Sequence, residues 1–198
     1  MIALLLWQVG VRRAVSSRTE EGRAHLSSLL SVATVLSWDD PEVAERVQLS
    51  SEDPDRYYEE HGDAFGRPAD VWPFAVLCHE LERRGLIVRA GSFDAPTPEL
   101  CARINACVSR CGDHRLSDAE LPSVGSGDSV ESFLDEVDRL LTARALVLVH
   151  LDDLGGDLFV GVQPGERFLR VDGIIGPGLA YAFHRWGQPA SPPREPAA

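Results

Sequence analysis

The chain contains no lysine: all 19 of its basic residues are arginine. A Walker-type phosphate loop needs its lysine, so that route to nucleotide hydrolysis is excluded. Schiff-base chemistry, including pyridoxal phosphate attachment, is excluded too, and a protein-kinase site would lack its strand lysine. Basic runs stop at two residues, Arg12-Arg13 and Arg83-Arg84, while 31 acids bring the net charge to -12. Such a chain repels phosphate backbones and anionic membranes, so the expectation is no nucleic acid, no membrane and a basic protein partner. No apolar run reaches the roughly 20 residues of a membrane span. The run Met1–Trp7 is short and has no basic region before it, against a signal peptide.

Cysteine is sparse. The four, at 78, 101, 107 and 111, contain no pair with the two-residue gap of a zinc knuckle or thioredoxin motif. With no export signal, they are expected to be free thiols in a reducing, cytoplasmic compartment. Serine-nucleophile and dinucleotide motifs are missing as well. Gly125-Ser126-Gly127 has no strand before it, and Gly173-Ile-Ile-Gly176-Pro-Gly178 has the wrong spacing.

What is present is an ordinary globular composition: 198 residues, 44% hydrophobic and 25% charged. One core is sustainable at that size without staples. Leu26, Leu29, Leu30 and Ala33 form a helical stripe. Asp40-Pro41 and Asp53-Pro54 each pair a cap with a first-turn proline, and open two further helices. Asp70 is expected to cap a helix with Phe74, Leu77, Cys78 and Leu81 inward, closed by Arg83-Arg84 and Gly85. A short strand over 86–90 follows, then a helix from Thr97 with Leu100, Cys101, Ile104, Cys107, Val108 and Cys111 on one stripe. After a polar loop over 112–128, Asp128 or Ser129 caps a helix with Val130, Phe133, Leu134, Val137, Leu140 and Leu141 inward.

The last third is β-rich, with strands predicted at 145–151, 158–162 and 168–171, then a short terminal helix within 179–186. The predicted class is α+β, N-terminal helices packed on one face of a small, mostly antiparallel C-terminal sheet. Residues 1–23 read as an N-terminal extension whose order the sequence leaves open. Residues 24–187 read as a single domain, and 188–198 as a disordered tail rich in proline and alanine.

Asp53-Pro-Asp-Arg-Tyr-Tyr58, Trp72-Pro-Phe74 and Leu81-Glu-Arg-Arg-Gly-Leu86 give the chain a family likeness. Over residues 25–172 it resembles an uncharacterised bacterial family, a domain of unknown function. That resemblance implies no established activity, so it transfers no catalytic residues. Members of the family tend to carry an aspartate, a tryptophan and a basic residue directly after the strand that ends here at Ala90. This chain has Gly91-Ser92-Phe93-Asp94 instead.

Three groups of side chains could carry chemistry. His150, Asp152, Asp153 and Asp157 are the sharpest polar cluster. On a strand His150 and Asp152 share a face, and oxygen-rich sites of this kind hold Mg²⁺ or Ca²⁺ or activate water; a hairpin with turn-forming Asp and Gly, matching no EF-hand pattern, is the plainer reading. Cys107, Cys111 and His114 could approach one another as metal ligands, with Cys78 as a fourth; core packing of small thiols is the competing reading. Tyr57, Tyr58, Glu59, Glu60 and Trp72 could line a binding surface for an arginine-rich partner, since aromatics beside acids suit cations. His79-Glu80 begins a metalloprotease motif that fails at Arg83, leaving a solvated helix face.

The expected function is therefore a non-enzymatic acidic protein-binding module, regulatory or toxin-neutralising, with no cofactor. The alternative is a small divalent-metal-assisted hydrolase using the 150–157 cluster.

Overall fold

A computed structural model describes residues 20–112, 116–117, 120, 129–152, 158–174 and 182–188. The predicted tail and most of the 112–128 loop lie outside them. Among the described residues, those up to Leu81 form one compact unit and those from Glu82 onward another. The 24–187 domain of the sequence analysis thus comprises both.

The first unit is helical. Helix α1 (Glu20–Leu36) buries Leu26, Leu29, Ala33 and Leu36, successive steps along one stripe. It ends in a Schellman closure: Asp39 N–H donates to Thr34 C=O at 2.8 Å and Trp38 N–H to Val35 C=O at 3.4 Å. That closure puts Trp38 at φ 62° and Asp39 at φ 64°, left-handed positions where glycine is usual.

Helix α2 (Pro41–Glu52) follows, capped by the Asp40 carboxylate on Glu42 N–H at 3.0 Å. Asp53 caps α3 (Pro54–His61) through Arg56 N–H at 3.1 Å. Both caps work as predicted, because Pro fits the first turn and the aspartate satisfies an orphan donor. Helix α1 packs on α2, and α2 on α3. The helix expected to open at Asp70 opens later, at Pro73. Residues Pro68–Asp70 make a 3₁₀ turn in which Asp70 accepts from Arg67 Nε at 3.1 Å, and α4 (Pro73–Arg83) starts later, at a proline suited to the first turn.

The second unit is a four-stranded antiparallel sheet with helices on one face, so the class is α+β. Its strands are β1 (Ile87–Arg89), β2 (Leu146–Asp152), β3 (Leu158–Pro164) and β4 (Ala182–Arg185), in the spatial order β1-β3-β2-β4. Thr97 caps α5 (Pro98–Ser109), and Ser129 caps α6 (Val130–Thr142). Their apolar stripes meet Val88, Leu146, Leu148, Val160 and Val162 in one core, to which Leu116 is fastened. Asn105 does the fastening: its Nδ2 donates to Leu116 C=O at 2.8 Å, and Leu116 N–H donates back to its Oδ1 at 3.1 Å.

Two predicted elements exchange character. The strand expected over 168–171 is instead a one-turn helix, α7 (Gly165–Phe168), and the turn after it. Gly165 N–H is drawn to Ala145 C=O at 3.0 Å, and Leu169 N–H then closes on Gly165 C=O at 3.1 Å. The helix expected within 179–186 is strand β4, because β2 has a free edge whose backbone groups require partners.

Ala145, between α6 and β2, sits at φ 57° with its side chain exposed. Ala145→Gly removes the left-handed cost with no packing to lose. It should stabilise the protein by about 1 kcal/mol and raise the melting midpoint by about 2–4 °C, as read by thermal unfolding.

Candidate functional site

Among the described residues of the second unit, a polar cluster lies where β2, β4 and α6 meet. The period-two alternation of β2 turns Leu146, Leu148 and His150 to the α6 side. The register sets His150 opposite His184 of β4 and opposite Val160 of β3. The two imidazole rings are 4.6 Å apart, steeply tilted, and the Trp186 ring lies 5.4 Å from His150. Trp186 Nε1 donates to Asp135 at 2.7 Å, and Arg185 reaches both Asp138, at 3.2 Å, and the Thr142 hydroxyl. His184 Nδ1 is 3.1 Å from Arg185 C=O. A carbonyl only accepts, so this bond places a proton on Nδ1, which in the neutral tautomer leaves the lone pair on Nε2.

Of the predicted 150–157 cluster, the structure describes the His150 side chain and the backbone of Asp152, opposite Leu158 and Ala182. Asp153 and Asp157 lie outside the described residues. The residue that sequence reasoning missed is His184. It was assigned to a helix, and only strand pairing brings it to His150.

The cysteines are placed as core groups. Cys101 and Cys107 are buried and Cys111 half-buried on the α5 side of the sheet. The Cys107 thiol donates to Gly85 C=O at 3.5 Å, and the Cys111 thiol lies 3.5 Å from Val162 C=O. Burial pushes Cys107 up to about 12 and Cys111 up to about 11, and it raises Cys101 as well. Thiols held neutral in this way are poor nucleophiles and poor ligands. His114 lies outside the described residues, and Cys78 is buried in the first unit. Among the described residues, no group of three or more His, Cys, Asp or Glu side chains could hold a metal ion.

In the first unit the structure corrects the reading of Glu80 as a solvated residue. Glu80 is 0% exposed, because it follows Val76 and Leu77 on the buried stripe of α4. Its carboxylate accepts the Tyr57 hydroxyl at 2.7 Å, and that bond makes its burial tolerable. Spacing along α4 was the available signal.

Tyr57 is likewise 0% exposed, so it sits inside and not on a docking surface. Around it, His61 stands 4.7 Å away and Phe65 5.8 Å away, ring centre to ring centre. Tyr58 and Trp72 are half-buried, Trp72 against Phe74 at 5.4 Å, while Glu59 and Glu60 are exposed. A hydrogen bond from Arg46 holds the Glu60 carboxyl below its ordinary range, with Arg56 a second cation at 3.8 Å.

The larger feature here is charge. Residues 39–63 hold ten acids against Arg46 and Arg56, a formal -8 of the chain's -12. Nine of the ten acids are exposed, Asp40 being the half-buried one. Both arginines are drawn into pairs with acids of the same band, Arg46 with Glu42 and Glu60, Arg56 with Glu60. The potential over α2 and α3 is therefore strongly negative.

Removing the Tyr57 hydroxyl should leave Glu80 with one donor fewer in a buried place. Tyr57→Phe is expected to lower unfolding free energy by about 1.5–3 kcal/mol in urea titration. Cys107 and Cys111 should resist a thiol reagent at pH 8 in the native state and react on unfolding. Their raised pKa values set a sign for stability as well. Below the free-thiol value of 9.0 both states keep the protons; above it the unfolded state loses them first. Stability should therefore fall from about pH 9 until about 11 to 12.

Comparison with curated proteins and with solved structures gives no match. A family model, "Domain of unknown function (DUF6630)", matches residues 26–168. That span runs from within α1 to the end of α7, so most of both units falls inside it and β4 lies beyond it. A Cβ at Gly91 would stand 3.0 Å from the Leu158 backbone nitrogen, so a larger residue there would have to move β3. With most of the chain inside the match, the protein belongs to the DUF6630 family.

Proposed function

We propose that this protein is a non-enzymatic, acidic protein-binding module of the bacterial cytoplasm, regulatory or toxin-neutralising, whose partner presents a basic protein surface. The observation that carries the reading is the acidic band of α2 and α3. It concentrates most of the net charge on exposed positions and ties up both of its own arginines. A surface of one sign steers an oppositely charged partner and disfavours nucleic acid and anionic membranes. Tyr58, half-buried on α3 beside the exposed Glu59, supplies apolar area next to an acid, a combination that suits arginine side chains, and Trp72 is half-buried in the same unit. Core thiols held protonated fit a protein that keeps its cysteines reduced. Among the described residues no helix is long and apolar enough to cross a membrane.

The hydrolase alternative draws on His150, Asp152, Asp153 and Asp157. Of these, His150 is the one whose side chain the structure positions.

The test is affinity capture from a lysate of the source organism, at low and high salt, with wild-type protein and with a Glu45→Gln, Asp55→Asn, Glu59→Gln variant. These acids are exposed and are not helix caps. One basic partner, lost at high salt and bound at least about tenfold more weakly by the variant, is the expected result. Capture indifferent to both salt and the three substitutions would overturn the reading.

A further inference from the structure

Three features stand apart from the acidic band: the ring cluster around Tyr57 and Glu80, the exposed Leu169 beside α7, and the His150–His184 pair. The ring cluster buries His61 Nε2 without a hydrogen-bond partner among the described residues, but the His61 and His79 rings stand 5.8 Å apart and build no joint site, and nothing in the structure shows what would cover Leu169. The histidine pair carries an inference through.

A metal about 2.1 Å from an imidazole nitrogen lies about 3.2 Å from that ring's centre. Two imidazoles on one metal therefore have centres about 4.6 Å apart for a right-angled pair of bonds, and about 5.3 Å for a tetrahedral pair. The His150 and His184 rings stand 4.6 Å apart, inside that range. The other close pair, His61 and His79, stands 5.8 Å apart, outside it.

The tautomer agrees. His184 donates Nδ1–H to Arg185 C=O, the backbone contact that commonly orients a metal-binding imidazole and leaves Nε2 to ligate. Each ring has two nitrogens, so a hydrogen bond at one is compatible with ligation at the other. The scaffold is rigid, because the two residues are direct cross-strand partners in neighbouring strands. Beside the pair, Arg185 offsets Asp138 in an ion pair, and Asp135, held by the neutral Trp186 indole, leaves a net negative charge.

We propose that His150 and His184 form a cross-strand site for one borderline divalent metal ion, of the copper, nickel or zinc class, through one imidazole nitrogen from each strand. Imidazole selects that class over Mg²⁺ and Ca²⁺, which prefer oxygen. Water fills the remaining positions, so the site is a weak and exchangeable one. The proposal is independent of the acidic band.

Copper(II) is the probe, because it is the tightest of the series and reports on its ligands. Chelator-treated full-length protein is titrated with Cu²⁺, followed by tryptophan fluorescence and by electron paramagnetic resonance. The expected result is one saturable equivalent, quenched tryptophan emission, and hyperfine splitting from two imidazole nitrogens. Trp186→Phe should keep the binding and lose much of the quenching, since that ring is 5.4 Å from His150. His150→Gln, at a half-buried position, should weaken binding at least about tenfold, while the control His61→Gln leaves it unchanged. His184→Phe tests the second ligand, and apo melting curves of every variant show that each is folded. The proposal is overturned by three results: no saturable site, unchanged affinity and nitrogen splitting in His150→Gln, or loss of the site in His61→Gln.

Discussion

The second unit depends on the double pairing of β2. This strand is hydrogen-bonded along its whole length to β3 and over its last four residues to β4. The register does two things at once. It turns Leu146 and Leu148 into the core that α5 and α6 cover, and it carries the same face onward to His150. A slip of one residue would put Val147, Val149 and Leu151, buried on the other face, where Leu146, Leu148 and His150 now stand, and would separate His150 from His184. The core thus enforces the polar geometry: the residues that fix the register are aliphatic, and the histidines inherit their positions from them.

In the first unit the controlling problem is charge. Glu80 has to be inside because α4 has a wide apolar arc, and a buried carboxylate requires a strong donor. Tyr57 supplies one from α3. The same helix presents Asp55, Glu59 and Glu60 outward, so α3 separates its polar groups by role: a hydroxyl inward to satisfy one carboxylate, and carboxylates outward to form the band. Arg46 is placed between these demands. It hydrogen-bonds Glu60, and the negative charges of Glu60, Glu80 and Glu42 together raise its pKa. Lacking lysine, the chain meets its cationic needs with planar arginine forks, which also serve as tethers for Asp138 and Glu120.

Local chemistry was legible in the sequence. Asp40-Pro41, Asp53-Pro54 and Thr97-Pro98 each begin a helix as expected, because cap and proline act within a few residues of one another. The stripes of α5 and α6 and the runs that become β1, β2 and β3 were legible for the same reason. What failed was non-local. Ala182–Arg185 forms a strand because β2 offers an edge, and nothing within 179–186 announces it. Gly165–Phe168 turns helical where Gly165 is drawn to Ala145, far back along the chain. At the candidate sites, His150 was visible as the strand member of a polar cluster with Asp152, Asp153 and Asp157, but its cross-strand partner His184 was not. Tyr57 looked like a surface aromatic among acids, and only Glu80 on another helix explains why it is inside.

The claim that most of this rests on is the register of β2. Interstrand nuclear Overhauser contacts on isotope-labelled protein measure it directly. Backbone contacts should link His150 to Val160 on one side and to His184 on the other, with Leu148 opposite Val162. Contacts from His150 to Phe183 or Arg185 as its direct partner, or none to β4, would contradict the account.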